Sequence, residues 1–331
     1  MTLSETRIRV AVIGAGEHGS RHARQYKDLP GARLVGVYDI RAERRESLAA
    51  ELGVKAFGSL EEVWQSVQAA SLVIPTTDHA EVARQAFARG IDLLVEKPIT
   101  KTTQEAGELV RMAAERGRIL QVGHVERFNP GSLAAKAITH GPLFFEVHRL
   151  GVFSPRSLDV DVVFDLMIHD LDLVLWLADS PVREVRAVGL PVLSDKVDIA
   201  NARVEFESGA VANLTASRVS TEKVRKFRYF QPNEYVSIDF TRRDVLVVKV
   251  DRGEGTPQIG FRKLETAAGD PLRAEIEAFL HSVRTRTPPL VGGEEGRRAL
   301  ALAEQVMDRI QSHAAKVHIH LTQPAGHSGE S

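Results

Sequence analysis

An apolar, β-branched run, Ile8–Ile13, leads directly into Gly14-Ala15-Gly16-Glu17-His18-Gly19 and then into a helix-forming stretch over residues 20–29. Strand, G-x-G-x-x-G and helix in that order admit few folds. The first glycine permits a tight turn, the second lets a pyrophosphate approach the backbone, and the third lets helix and strand pack closely. Free N–H groups at the helix start favour an anion there. A second strand, residues 33–38, ends at Asp39, twenty residues beyond Gly19. An acid at that place accepts the hydroxyls of an adenosine ribose, which favours NAD over NADP. In the adjoining Ile40-Arg41, the arginine can stack on adenine. A mere glycine turn is the competing reading, and the flanking strand, helix and Asp39 weigh against it.

The alternation continues. Strands are expected over residues 54–57, 71–74, 92–95 and 119–122, separated by helical stretches. Asp78 to Glu81 reads as a capping box opening one helix, and Thr102 to Glu105 as another, closed by Gly117. Such spacing means a parallel sheet with right-handed crossovers, whose ligands sit beyond the strand C-terminal ends. The glycine turn, Pro75-Thr76-Thr77 and Glu96-Lys97-Pro98 all fall at those ends. That coincidence separates Lys97 from an ordinary solvated lysine.

After Gly123 the pattern changes, which divides the chain into residues 1–123, a Rossmann domain, and 124–331, a substrate-binding and oligomerisation domain. A helix over 130–139 and a strand over 144–150 precede residues 161–177, DVVFDLMIHDLDLVLWL. That stretch reads as a buried helix with Asp161 as N-cap. Asp165, His169 and Asp172 share one helical face, while Asp170 points elsewhere. Carboxylates buried without partners are costly, so the seam should line a cleft or meet partners. A histidine held by carboxylates inside a core is the alternative. Six strands follow between 183 and 250, with hairpin signals at Glu207-Ser208-Gly209 and Gln231-Pro232-Asn233. Helices over 271–285 and 294–316 close the fold, and residues 322–331 read as a flexible tail. The fold class is therefore α/β, with an N-terminal Rossmann domain and a C-terminal α/β domain built on a large, mostly antiparallel open sheet. One uncovered sheet face implies a homodimer or homotetramer.

The totals exclude several classes. Charged residues make up 26% with a net charge of −1, so the chain has no general basic field for nucleic acid. It has no cysteine, which removes disulfides, thiolate metal sites and cysteine nucleophiles. No apolar run approaches the ~20 residues of a membrane span, and a cytoplasmic protein is expected. The basic run Lys223, Arg225, Lys226 and Arg228 reads as a solvated strand face. His313, His318 and His320 read as a surface cluster, and no metal site is expected.

Gly14–Gly19, Glu96-Lys97-Pro98 and Asp165-Leu166-Met167-Ile168-His169-Asp170, in that order, resemble the hallmark stretches of the Gfo/Idh/MocA oxidoreductase family. The resemblance runs to about His318. It implies that Lys97 touches both nicotinamide ribose and substrate hydroxyl, that His169 is an acid/base, and that Asp165 positions the substrate. It places Pro75, Thr76, Thr77 and His79 beside the nicotinamide ribose, although many members carry Asn where Thr77 stands. It brings Gln121 and His124 near nicotinamide and substrate, and Glu96 with Lys97 to the cofactor.

Residues 122–130, VGHVERFNP, and 216–220, ASRVS, resemble the branch acting on nucleotide sugars at carbon 3, UDP-N-acetylglucosamine in particular. Some of that branch feed a downstream aminotransferase. A nucleotide sugar offers a pyrophosphate, for which Arg127, Arg149 and Arg156 are candidate forks with Asn129 beside them. The reaction expected is hydride transfer to NAD, with His169 or Lys97 taking the hydroxyl proton. A dehydrogenase of free sugars, inositols or other small polyols, and a non-catalytic NAD-binding sensor, are the alternatives.

Overall fold

The computed structural model describes residues 7–153, 160–251, 257–318 and 321. Among them, β1 (Ile8–Ile13), β2 (Ala32–Tyr38), β3 (Lys55–Ala56), β4 (Ala69–Leu72), β5 (Asp92–Glu96) and β6 (Leu120–Gly123) form a six-stranded sheet ordered β3-β2-β1-β4-β5-β6. Every neighbouring pair is parallel. The strands are apolar because both faces are covered, as parallel sheets require. The connecting helices are α1 (Glu17–Asp28), α2 (Ala42–Leu52), α3 (Leu60–Ser66), α4 (Thr76–Ala88) and α5 (Thr103–Glu115).

The order reverses between β1 and β4, where such sheets bind ligands. The glycine turn follows β1 there. Gly14 adopts φ +102°, and a Cβ on it would lie 2.0 Å from the Val73 carbonyl oxygen. A Cβ on Gly19 would lie 1.8 Å from the Gly14 carbonyl oxygen, so α1 can pack this close only without one.

Thr102 and Glu105 form the expected capping box at α5, and Gly117 turns the chain out at φ +60°. At α4 the expectation is corrected. The helix begins at Thr76 with no side-chain cap, so Asp78 lies inside its first turn and Pro75 precedes it.

The second sheet contains β7 (Phe144–Val152), β8 (Val182–Leu190), β9 (Ile199–Phe206), β10 (Val211–Ser220), β11 (Val224–Gln231), β12 (Glu234–Asp239), β13 (Asp244–Asp251) and β14 (Gln258–Leu264). Its order among the described residues is β14-β13-β12-β11-β7-β10-β9-β8, antiparallel except between β7 and β10. β14 was not expected: its side chains are almost all exposed, so the burial alternation that marks a strand is missing. Phe145, Val147, Leu214, Phe227, Tyr229 and Val236 are buried on one face of this sheet. Helices α6 (Pro130–Ile138) and α7 (Ile168–Ala178) precede most of its strands, and α8 (Pro271–Thr285) and α9 (Gly293–Lys316) end the chain.

The chain forms two compact units, residues 1–129 with 268–300, and 130–267 with 301–331. The expected break at 123/124 is thus displaced, and α8 belongs with the first unit. The reason is its apolar stripe. Leu272, Ile276, Phe279, Leu280 and Val283 join Val10, Ala23 and Tyr26 in one buried core. Arg286, just past α8, also donates to Asp92 at 2.6 Å. The tail beyond residue 321 lies outside the described residues. No described helix is long and apolar enough to cross a membrane.

Candidate active site

In the first unit the predicted cofactor residues gather at the strand ends. The backbone N–H of Ala15 donates to Asp39 Oδ2 at 2.7 Å, and that of Arg41 donates to Oδ1 at 2.9 Å. Asp39 is thereby fixed against the glycine turn, while Ile40 beside it is 86% exposed. An acid held at the strand end, an open apolar side chain next to it and a turn whose three glycines carry no Cβ together fit an adenosine and its pyrophosphate. Pro75 and Thr77 are exposed and Thr76 is half-buried.

His79 is buried and bridges two of these loops. Its Nδ1 lies 3.0 Å from the Pro98 carbonyl and its Nε2 lies 2.9 Å from that of Ile74. Burial lowers its pKa, partly offset by these carbonyls. The structure gives His79 the work of fastening the Glu96-Lys97-Pro98 turn to the loop after β4.

Glu96 closes β5. Its Oε1 lies 2.9 Å from His18 Nε2 and 3.2 Å from His22 Nε2, and its Oε2 accepts from the Lys97 backbone N–H at 3.2 Å. Burial pushes the Glu96 carboxyl up, but the two imidazoles outweigh it and hold the group below the ordinary glutamate range. His22 is fully buried, and burial lowers its pKa against the opposing pull of Glu96. Its Nδ1 meets Ser71 Oγ at 3.3 Å, and Ser71 meets Tyr26 Oη at 2.8 Å. Sequence reasoning missed His22, although its i,i+4 spacing from His18 on α1 was a visible signal.

A second omission is Glu275 on α8. It is fully buried, and neither carboxylate oxygen has a hydrogen-bond partner among the described residues. Burial, then the nearby Glu96 charge, raises its pKa well above the glutamate range. Gln121 is fully buried beside it and donates Nε2–H to the Glu275 carbonyl at 2.9 Å. Gln121 thus anchors β6 to α8. Past β6, His124 and Arg127 are buried around a single 3₁₀ turn, Val125–Phe128, and Asn129 donates to Glu126 at 3.3 Å.

In the second unit the predicted single helix is broken. Val163–Met167 forms a π-helical turn that runs into α7. Such turns recur at functional sites, and this one carries Asp165 while His169 opens α7. Both side chains are half-buried. Asp161 is not the cap: its Oδ1 accepts from the Val197 N–H at 2.8 Å, which pins the start of the segment to the strand region instead. Arg218 braces the same place, touching the Val160 carbonyl and lying 3.4 Å from Asp198.

Asp170 turns away from that seam, as expected. Arg149 on β7 forks onto it, Nε to Oδ2 and Nη2 to Oδ1, both at 2.8 Å and both groups buried. The Nε and Nη2 donors of Arg149 are thus committed to this buried pair. Arg156 lies outside the described residues. Within the basic run, Arg228 pairs with Glu146 at 3.0 Å.

A dinucleotide turn with a ribose-side acid, followed by a lysine and a helix-borne histidine, defines an NAD-binding oxidoreductase. Residues 8–124 match the oxidoreductase family with an NAD-binding Rossmann fold, and residues 148–231 match the Gfo/Idh/MocA C-terminal domain. The UDP-N-acetylglucosamine 3-dehydrogenase of Acidithiobacillus ferrooxidans is 41% identical over 310 residues, 92% of this chain and 98% of that one. A solved structure of that enzyme matches with a TM-score of 0.87 at 40% identity, covering 93% and 99% of the two chains. The scyllo-inositol 2-dehydrogenase (NAD(+)) of Bacillus subtilis is 31% identical over 65% of this chain and 69% of its own. Levoglucosan dehydrogenase in complex with NADH shares the fold, with a TM-score of 0.84 at 17% identity, covering 93% and 98%. The chain belongs to the Gfo/Idh/MocA family of oxidoreductases, and its cofactor is NAD.

Two outcomes follow from the buried charges. Asp170→Ala strands a buried guanidinium and should cost about 3–5 kcal/mol in urea unfolding, whereas Arg149→Met with Asp170→Leu should cost far less. A single-variant loss below ~1 kcal/mol would contradict the buried pair. For Glu275 the folded pKa lies above the unfolded one. Its contribution is whole at low pH and is lost as pH rises through the folded value. The melting temperature of Glu275→Gln relative to the parent protein should therefore climb between about pH 5 and about pH 9. A constant difference across that range would show that Glu275 does not titrate this way.

Proposed function

We propose that the protein oxidises the carbon-3 hydroxyl of UDP-N-acetylglucosamine to a ketone with NAD. The observation that carries this is the 41% identity, over 92% of the chain, with an enzyme named for that reaction. NAD, when bound, supplies the hydride acceptor. The chain's own residues supply the rest. His169 takes the hydroxyl proton, since imidazoles exchange protons near neutrality. The Lys97 ammonium stabilises the developing alkoxide. Asp165, one turn before His169, orients the sugar. Glu96 fixes the Lys97 backbone, which limits where that ammonium can reach.

Pro75, Thr76 and Thr77, at the start of α4, present the nicotinamide side of the turn. His124, Arg127 and Asn129, which follow β6, are the first unit's candidates for substrate contact, and the Arg156 guanidinium suits a pyrophosphate. The ketone product is chemically matched to an aminotransferase, which would draw the oxidation forward. Exposed Leu246, Ile259 and Phe261 on the strands at one end of the second sheet support self-association as a homodimer or homotetramer. The protein is proposed to work in the cytoplasm, where NAD and nucleotide sugars are available.

Purified protein with NAD should form NADH on UDP-N-acetylglucosamine, more so when an aminotransferase and amino donor remove the ketone. His169→Ala should lower kcat at least ~100-fold while NAD affinity is kept. Turnover of inositols or free sugars without turnover of the nucleotide sugar would redirect the substrate, and an unimpaired His169→Ala would remove the proposed base.

A further inference from the structure

We propose that His18, His22 and Glu96 form a binding site for a divalent transition metal ion, zinc being the ion that fits it best. His18 and His22 stand four residues apart on α1, so both side chains leave the same face of the helix. Their Nε2 atoms are 3.4 Å apart. Glu96 Oε1 lies 2.9 Å from the first and 3.2 Å from the second. Three atoms bound at about 2.0–2.1 Å to a tetrahedral ion stand ~3.3–3.4 Å from one another. The triangle observed is already close to that, and an ion needs only a few tenths of an ångström of outward movement from Glu96. Two imidazoles and one carboxylate are a donor set that zinc takes with a fourth position open to water.

The surroundings hold the three ligands in place. Ser71 Oγ and Tyr26 Oη form a hydroxyl relay on His22 Nδ1. Hydroxyls both donate and accept, so the relay can take an Nδ1–H from His22 and leave the Nε2 lone pair for an ion. The Lys97 N–H holds Glu96 Oε2, leaving Oε1 as the ligand atom. Orienting partners of this kind accompany metal-binding histidines and carboxylates. Access is provided by His18, whose side chain is 41% exposed, while His22 is wholly buried. The site rests on neither the substrate nor the base assigned above, and it stands on the same turn as the cofactor residues.

The test uses tag-free, chelator-treated full-length protein. Calorimetric titration with zinc chloride should show one ion per chain, and cobalt(II) should give the intense visible absorption of a tetrahedral complex. His18→Ala should weaken zinc binding at least ~10-fold and abolish the cobalt spectrum. Circular dichroism and a metal-free melting curve should show that variant folded. Glu96→Gln should weaken binding likewise. His318→Ala with His320→Ala should bind as the parent protein does. The proposal is overturned if the parent protein takes up no ion, if folded His18→Ala binds zinc as tightly as the parent, or if the C-terminal double variant loses the binding.

Discussion

The first unit depends on one carboxylate held at the end of a parallel strand. Glu96 is almost wholly buried and joins three segments distant in sequence: α1 through His18 and His22, β4 through the Ser71 relay, and the Lys97 turn through a backbone N–H. A buried carboxylate without such partners would be far too costly. With them, its charge becomes the means of placing Lys97. The neighbouring Glu275 follows the opposite course. Its oxygens have no hydrogen-bond partner among the described residues, and burial, then the charge of Glu96, pushes its carboxyl well above the ordinary glutamate range. The same interior thus shifts two carboxyls in opposite directions, a pattern that recurs at functional sites.

The same economy of contacts explains the glycine turn. Gly14 and Gly19 have no room for a Cβ, so the start of α1 packs closely at the end of β1, where a helix N-terminus favours an anion. Asp39 is fixed by the turn's Ala15 amide and by the amide of Arg41 before any ribose arrives. Pre-positioned polar groups spare the binding step the cost of ordering them. In the second unit, the Asp161 carboxylate and the Arg149–Asp170 pair fix the segment that carries Asp165 and His169. The residues placed in the chemistry and those holding them are therefore neighbours in sequence with separate duties, as Asp165 and His169 beside Asp161 and Asp170 show.

Much of this was legible from residues alone. The strand–turn–helix, the alternation that follows and the α5 capping box are local patterns, and each appears where its chemistry dictates. The order of the second sheet's strands and the fork of Arg149 onto Asp170 join residues far apart in the chain, and no local period reports them. The π turn at Val163–Met167 escaped notice because a stretch apolar on nearly every side looks the same in either helical form. The core that α8 joins was not legible because its apolar stripe does not name the surface it covers. Glu275 was overlooked because an acid within an amphipathic helix ordinarily faces water. The family resemblance reached Lys97, Asp165 and His169, with Glu96 and His79 beside them, without reaching His22 or Glu275.

The proposed reaction moves a hydride from carbon 3 of a nucleotide sugar to NAD. The most direct measurement uses UDP-N-acetylglucosamine deuterated at carbon 3, with mass analysis of the reduced cofactor. The carbon-3 deuterium should appear in NADH, and deuterium placed at carbon 4 should remain in the sugar. NADH formed from the carbon-3-labelled sugar without the label, or labelled from carbon 4, would contradict it.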